Sequence, residues 1–329
     1  MSTAAATPTP EQFSQAAKVA AAMRSEVGKA LVGQKEAVDA VLVALLAGGH
    51  VLIEGVPGLG KTLLVRALAR TFSGSFGRVQ FTPDLMPADV TGHTLYDPKN
   101  QVFTARRGPV FVNLLLADEI NRAPAKTQAA LLEVMQEGQV TIEGQAHPLE
   151  PPFMVLATQN PIEQEGTYAL PEAQLDRFLL KVRIDYPSQA DEAAMVRQVT
   201  AGKIGDRLDV DAVQELVKPA TVVTLQRIAA SLRIDDTVLD YAVRLARATR
   251  NWAGVVAGAG PRGGISLVRA ARGAALLEGR DYVTPDDVKK MALPALRHRI
   301  RPAPELELEG RDNDAILKGL LEKIEAPRK

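Results

Sequence analysis

Cysteine is absent from this 329-residue chain, and its absence excludes three kinds of chemistry. The protein can form no disulfide, no thiolate metal site and no cysteine nucleophile. Aromatic residues are scarce, at 4%, which argues against a surface that stacks the bases of single-stranded nucleic acid. Charge of one sign is not in excess either, because 39 basic and 39 acidic residues cancel. Binding to nucleic acid or to an anionic membrane through bulk charge is therefore not expected.

Long apolar runs are missing too. The stretch nearest to membrane-spanning length, residues 40–53, is too short for a bilayer and is interrupted by Gly48, Gly49 and His50. The first ten residues have neither a basic nor an apolar region, so we expect no secretory signal, no membrane insertion and a cytoplasmic location. What is present is typical of a globular protein: 46% hydrophobic residues, 24% charged residues and a length that favours about two domains.

Predicted strands and helices alternate up to residue 186, which indicates a mostly parallel sheet with helices on both faces. The strands are predicted at residues 50–54, 78–81, 113–118, 153–158 and 179–184. The helices are predicted at residues 11–29, 35–47, 61–72, 124–136 and 172–178. Two segments interrupt this alternation, a long loop rich in Pro, Gly, Asp and Asn at residues 82–108 and a hairpin at residues 139–149. Residues 187–296 are predicted to contain helices and no strand.

The segment GVPGLGKT at residues 55–62 matches the phosphate-binding pattern G-x-x-x-x-G-K-[ST] between a predicted strand and a predicted helix. Glycines let backbone N–H groups turn toward phosphate oxygens, and the helix presents its positive end to the anion. The loop residues expected to surround the phosphates are Gly55, Pro57, Gly58, Leu59 and Gly60. Lys61 is expected to reach the β- and γ-phosphates, and the Thr62 hydroxyl to ligate Mg²⁺. The alternative is a turn that matches the pattern by chance.

A second predicted strand, at residues 113–118, ends in two carboxylates, Asp118 and Glu119. Ligands bind at the carboxyl edge of a parallel sheet, where this strand end should lie. Asp118 would orient Mg²⁺ through its water shell, and Glu119 would polarise the water that attacks the γ-phosphate. The alternative is a solvated strand end. Following a phosphate loop within one α/β domain, the pair predicts ATP hydrolysis.

Three further polar residues are candidates for the same site. Asn160 follows another predicted strand and could hold the attacking water, although an Asn before a proline is also common in turns. Arg177 lies near the end of a short helix, cannot easily reach its own phosphate loop, and could act as a finger into a neighbouring subunit. Arg262 opens a helix of the second domain and could meet the γ-phosphate from that side. Taken alone, both arginines would be interpreted as solvated surface residues.

Together these motifs resemble those of the MoxR family of AAA+ ATPases. The resemblance covers about residues 30–300 and includes the strings DEINRAP at residues 118–124 and LPEAQLDRF at residues 170–178. It implies an α/β fold, a P-loop AAA+ αβα domain with a mostly parallel sheet followed by a small all-helical lid, that uses ATP and Mg²⁺. It also implies that Val32, Gly33 and Leu63 help to bind the nucleotide. The implied segments are an N-terminal extension at 1–30, the ATPase core at 31–186 with inserts at about 82–108 and 139–149, the lid at 187–300 and a tail at 301–329.

The resemblance further implies a ring of identical subunits, a hexamer, with ATP between neighbours. Arg177 stands at the arginine-finger position and Arg262 at the lid-sensor position, where Gly260 and the pair Gly263-Gly264 depart from the usual family pattern. Such proteins are chaperone-like remodellers that mature metalloenzymes or complexes, often with a partner that carries a von Willebrand factor A domain. An ATPase subunit of a metal chelatase, a nucleic-acid motor of the same fold and a nucleotide-gated scaffold are the alternatives. The neutral charge makes nucleic acid the least expected partner.

Three more features yield expectations. In the first insert, Tyr96 and Phe103 are expected to be exposed and available to a protein client. His50 enters a predicted buried strand and is expected to be a core histidine rather than a metal ligand. The basic run at residues 297–301 is expected to be a solvated face of the lid rather than a nucleic-acid patch, because residues 305–309 are rich in glutamate.

Overall fold

A five-stranded parallel sheet forms the centre of the protein, whose computed structural model describes residues 8–161, 167–200 and 210–327. The strands are β1 (Val51–Glu54), β2 (Phe76–Gln80), β3 (Gly92–Asp97), β4 (Val102–Arg107), β5 (Leu114–Asp118), β6 (Gln139–Ile142), β7 (Gln145–Pro148), β8 (Met154–Gln159), β9 (Leu180–Arg183), β10 (Val255–Ala257) and β11 (Arg301–Pro302). The sheet order is β2-β5-β8-β1-β9, and all neighbouring pairs are parallel. These five strands lie within two residues of their predicted positions.

Helices cover the sheet and form the second domain. They are α1 (Pro10–Ala30), α2 (Lys35–Leu46), α3 (Lys61–Thr71), α4 (Pro87–Thr91), α5 (Ala125–Glu137), α6 (Glu172–Leu175), α7 (Gln189–Thr200), α8 (Pro219–Ser231), α9 (Asp236–Ala248), α10 (Pro261–Leu277), α11 (Pro285–Leu296), α12 (Pro304–Leu308) and α13 (Asn313–Lys323). The αβα core with a helical lid is confirmed. None of the described helices is long and apolar enough to cross a membrane.

Successive side chains of each central strand enter two different hydrophobic cores. Leu114 and Leu116 pack with α1, α2, α3 and the lid helices, whereas Leu115 and Ala117 pack with α5 on the other face. Side chains alternate across a strand, so an unbroken apolar run is what a sheet buried on both faces requires. The carboxyl ends of β1, β5 and β8 consequently meet at one edge between the two layers.

The first insert differs from the predicted loop. Residues 87–91 form α4, and residues 92–107 form the antiparallel hairpin β3–β4. Asp97 closes its turn by accepting the backbone N–H groups of Lys99 and Asn100. The second hairpin, β6–β7, is present as predicted. Both inserts are therefore ordered hairpins on the same core.

The lid also contains two short strands. The sequence predicted none in residues 187–296, but β10 lies there and pairs with β11, the first residues of the tail. Strand β10 has only three residues, too few to show a period-two pattern. Helix α9 buries one apolar face, with Tyr241 and Leu245 inaccessible to solvent.

The basic run at residues 297–301 is mostly buried, so the prediction of a solvated face was wrong for it. His298 is 6% exposed and Arg299 is 9% exposed. Arg297 pairs with Asp314 at 3.0 Å, and of the five residues Arg301 alone is exposed. Buried cations are found where carboxylates and carbonyl oxygens receive them, and here the segment before β9 supplies those acceptors.

Candidate active site

The P-loop joins β1 to α3 at the carboxyl edge of the sheet. Gly58 and Gly60 have φ of +87° and +76°, in the left-handed region that glycine adopts without strain. A Cβ atom at Gly58 would meet nothing within 4 Å, so a larger residue would not clash with its neighbours there. Glycine is favoured at this position because of the backbone conformation. The Lys61 Nζ atom donates a hydrogen bond to the Gly55 carbonyl oxygen at 2.5 Å. Helix α3 begins at Lys61, so its positive end points into the loop.

A cavity of about 290 Å³ lies between this loop and the ends of β2, β5 and β8. Its lining residues are Pro57, Gly58, Gly60, Lys61, Thr62, Leu63, Arg78, Gln80, Asp118, Glu119 and Asn160. Burial lowers the pKa of Lys61, and the nearby carboxylates of Asp118 and Glu119 oppose that shift. The structure thus brings together the predicted loop, acid pair and amide in one cavity.

Thr158, on β8, connects both acids. Its hydroxyl donates to the Asp118 Oδ1 atom at 2.6 Å and accepts the Glu119 backbone N–H at 2.9 Å. The residue is 1% exposed. One hydroxyl has a single proton and two lone pairs, so these two bonds fix the direction of its proton toward Asp118. The strand between β1 and β5 therefore orients the carboxylates at the cavity.

Strand β2 supplies further partners for the acids. The Arg78 guanidinium pairs with Asp118 Oδ2 at 2.7 Å. The Gln80 amide donates to Glu119 Oε2 at 2.8 Å, and Arg122 lies 3.2 Å from the same oxygen. Glu119 itself has φ of +56°, a left-handed conformation that costs about 1–2 kcal/mol for a residue with a side chain. Such strain persists where surrounding bonds hold the residue, as those of Thr158 and Gln80 do here.

Arg78, Gln80 and Thr158 were not predicted as site residues from the sequence. Each lies on a strand of the sheet and contacts Asp118 or Glu119 across 39 or 40 positions of sequence. Local sequence therefore does not reveal these contacts. One sequence feature could have indicated Arg78 and Gln80: they are polar residues at alternate positions of β2. In the structure β2 ends beside β5, with Gln80 opposite Asp118. That signal depends on knowing which strands are neighbours.

An apolar cavity of about 120 Å³ lies on the other side of the P-loop. Its lining residues include Leu31, Val32, Leu59, Leu63, Met195, Val199 and Val210. An apolar slot beside a phosphate loop suits the base of a nucleotide. Val32, Leu59 and Leu63, all expected to bind nucleotide, line this cavity, and Leu59, expected beside the phosphates, does not line the P-loop cavity. Gly33 is not in the lining but adopts φ of +76° against the Asp191 side chain of α7.

Arg177 and Arg262 lie at the opposite edge of the sheet. The Leu179 N–H donates to the His50 carbonyl oxygen at 2.8 Å, so Arg177 precedes β9 beside the start of β1. The P-loop follows the other end of β1, a four-residue strand that spans about 13 Å. Both arginines line a separate cavity of about 310 Å³, where Arg262 lies 3.8 Å from Asp176. Neither arginine lines the cavity of its own P-loop.

Comparisons with known proteins identify the two domains of the chain. A model of the ATPase family associated with various cellular activities (AAA) matches residues 50–180, and an AAA lid domain model matches residues 247–320. The chain is 46% identical to the chaperone MoxR1 of Mycobacterium tuberculosis over 84% of this chain and 74% of that protein. The chain belongs to the MoxR family of AAA+ ATPases.

Two other proteins match this chain over nearly its full length. An uncharacterized Bacillus subtilis protein, YeaC, is 44% identical over 92% of each chain. A crystal structure of a proposed ATPase from Cytophaga hutchinsonii superposes with a TM-score of 0.88 at 41% identity, covering 97% of this chain and 98% of that one. The core and the lid are therefore found together in these relatives.

Proposed function

We propose that this MoxR-family chain hydrolyses ATP with Mg²⁺ in a ring of identical subunits, a hexamer, and uses the cycle to remodel a protein client. The observation that carries the proposal is the separation of the two half-sites. Loop, acids and amide share one cavity, whereas Arg177 and Arg262 lie beyond the opposite edge of the sheet. In a ring, the arginines of one subunit reach the ATP held by its neighbour.

The residues present fit Mg²⁺ and ATP. Thr62 and Asp118 are the oxygen donors that Mg²⁺ prefers, and Arg78 already supplies a cation beside Asp118. Bound Mg²⁺ would neutralise charge on the phosphates. The P-loop N–H groups and Lys61 hold the β- and γ-phosphates, while the 120 Å³ cavity receives the base.

Glu119 acts as the general base toward the attacking water. Its carboxylate lies in the cavity at the end of β5, and its backbone is fixed by Thr158. Asn160, which directly follows β8 and is 7% exposed, lines the same cavity and positions the water beside Glu119. Arg177 of the neighbouring subunit stabilises the charge that develops on the transferred phosphate, which is worth about 10³–10⁵ in rate.

The β3–β4 hairpin is the proposed contact for the client. Phe103 is 74% exposed and Tyr96 is 52% exposed, and their ring centroids are 5.1 Å apart. An exposed aromatic pair of this kind marks a site that binds another protein. We propose, from the chaperone name of one relative and the family resemblance, that a protein with a von Willebrand factor A domain selects the client, and that the chain works in the cytoplasm.

Mixing two inactive variants tests the composite site. Arg177→Ala removes the finger, and Lys61→Ala removes phosphate binding, so each alone should lower phosphate release by about 10³-fold or more. A Lys61→Ala subunit still offers Arg177 to the intact P-loop of an Arg177→Ala neighbour. Mixed rings should therefore release phosphate faster than the sum of the two variants.

Arg244→Ala is the control, because Arg244 is an exposed lid arginine paired with Asp240 on the same helix. It should keep wild-type turnover alone. Failure of the mixed variants to regain turnover at any ratio would contradict a site shared between subunits. Turnover of Arg177→Ala within twofold of wild type would contradict the role of the finger.

A further inference from the structure

Arg299, which follows lid helix α11, inserts its side chain into the αβα core. The side chain is 2% exposed. Its Nε atom donates to Asp176 Oδ1 at 2.7 Å, and its Nη2 atom donates to the carbonyl oxygens of Asp176 at 3.1 Å and Phe178 at 2.7 Å. Its Nη1 atom donates to the Leu179 carbonyl oxygen at 3.3 Å. A buried charge of this kind is tolerated because its donors are engaged.

These acceptors belong to the residues on either side of Arg177. Asp176 precedes it, and Phe178 and Leu179 follow it directly. The backbone that carries the finger is thus fastened from both sides by one guanidinium. An ion pair needed only to join two domains would be satisfied by the Asp176 carboxylate alone. The three carbonyl bonds are what restrict the finger segment.

The lid holds the other side of Arg299. Its Nη2 atom also donates to Ser266 Oγ on α10 at 3.0 Å, and its Nη1 atom contacts the Ala295 carbonyl oxygen on α11. Arg262, in the first turn of the same α10, faces Asp176 at 3.8 Å. The ends of two lid helices and the finger segment therefore form one bonded unit.

We propose that Arg299 is a positioning residue that ties the arginine finger Arg177 to the lid of its own subunit. Movement of the lid then moves the finger offered to the next subunit, so nucleotide-driven lid motion in one subunit controls hydrolysis in its neighbour. This inference rests on the proposed site between subunits. Arg299 does not line the P-loop cavity, and its bonds reach the residues on either side of Arg177, so we expect its effect to be transmitted through that finger.

The test compares Arg299→Gln with the two variants above. Arg299→Gln keeps an amide but loses most of the bonds, and misplacing the finger by about 1 Å should lower turnover by about 10²-fold. Binding of a fluorescent ATP analogue should change less than twofold, since the P-loop is intact. Mixing with Lys61→Ala should restore phosphate release, because that variant supplies an intact finger. Mixing with Arg177→Ala should restore nothing, because both variants lack a working finger.

Two controls separate positioning from folding. Arg280→Gln removes another lid arginine that pairs with Asp287 and does not contact residues 176–179, so it should keep turnover within twofold of wild type. Asp176→Asn removes the Arg299 carboxylate partner without a change of volume. If the melting temperature shows that Arg299→Gln does not fold, Asp176→Asn takes its place in the two mixtures. Its phosphate release should be restored by Lys61→Ala and not by Arg177→Ala.

Restoration of Arg177→Ala by Arg299→Gln would place Arg299 with the phosphate-binding residues and overturn the inference. Wild-type turnover of a folded Arg299→Gln protein would do the same. Failure of the Arg177→Ala and Lys61→Ala mixture contradicts the composite site itself. If the Arg177→Ala and Lys61→Ala mixture regains phosphate release while the Arg299→Gln and Lys61→Ala mixture does not, the result contradicts the Arg299 inference and leaves the composite site standing.

Discussion

At the scale of single residues, the partner of a side chain decides its role. Lys61, Asp118 and Glu119 were predicted because their chemistry is written in short contiguous motifs, and the structure places all three in one cavity. Thr158 orients two of them, yet it occupies an ordinary apolar strand in the sequence. Such a residue becomes visible only when β8 lies beside β5, which no local pattern reveals.

Arg299 also shows that local sequence does not reveal the contacts of a side chain, since it was predicted to be exposed and is buried. A run of basic residues followed by acidic ones favoured a solvated face, because charges usually lie on the surface. The carbonyl oxygens that receive Arg299 carry no sequence signal, since every residue has one. Burial of this cation depends on where the chain passes before β9, and that path is a property of the assembled core.

Two buried histidines predict how stability depends on pH. His50 accepts the Val155 N–H at its Nδ1 atom and contacts the Met135 carbonyl oxygen through Nε2, and burial lowers its pKa to about 4. Burial likewise lowers the pKa of His298 well below its usual value. Between pH 6.5 and 4 the unfolded chain binds protons that the folded chain does not, so the free energy of unfolding should fall as pH falls.

Urea unfolding at several pH values measures this effect. His50→Gln keeps a polar group at the site but cannot titrate, so its stability should fall less steeply over that range than that of the wild type. His93→Gln replaces an exposed histidine and should leave the wild-type profile unchanged. Equal slopes for His50→Gln and the wild type would show that the histidine is not held neutral.

At the scale of helices and strands, prediction succeeded where patterning is strong. Helix α3 was expected at residues 61–72 and spans Lys61–Thr71, because the phosphate loop marks its start and an apolar face marks its length. The β3–β4 hairpin was predicted as a loop because its sequence has no strand pattern. The structure explains this, since all six residues of β4 are exposed. A strand without a buried face shows no alternation of polar and apolar residues, and pairing with β3 alone makes it a strand.

That unburied hairpin is where a client contact should be found. Phe103→Ser removes the more exposed ring of the pair and should weaken protection of a heat-denatured protein such as citrate synthase, measured as light scattering with ATP present. The ring lies on the surface, so the melting temperature should change little. Lys99→Ser, at the hairpin turn, is the control and should protect as well as the wild type. Equal protection by Phe103→Ser and the control would rule out this contact.

At the scale of the whole molecule, each subunit of the proposed ring carries one half of each of two sites. Its carboxyl edge would bind nucleotide, and its amino edge would offer Arg177 and Arg262 to the neighbouring subunit. A net charge of zero suits a surface that meets copies of itself, because neither edge repels the other through bulk charge. In the proposed mechanism, the charges that determine activity are the few placed at these two edges, and the net charge of the chain says little about them.

This arrangement predicts that bound ATP holds the ring together. Glu119→Gln should bind ATP without hydrolysing it, since the general base is lost while the P-loop is intact, and should sediment as a stable ring in analytical ultracentrifugation. Lys61→Ala alone should sediment as smaller species under the same conditions, because it cannot hold the phosphates that the neighbour's arginines contact. Mixed with Arg177→Ala it should assemble, since its own Arg177 meets the ATP held by that neighbour. Glu143→Gln, an exposed carboxylate at the β6–β7 turn, should behave as the wild type, whose rings dissociate as ATP is consumed. A monomeric Glu119→Gln protein with ATP bound would contradict assembly through the nucleotide.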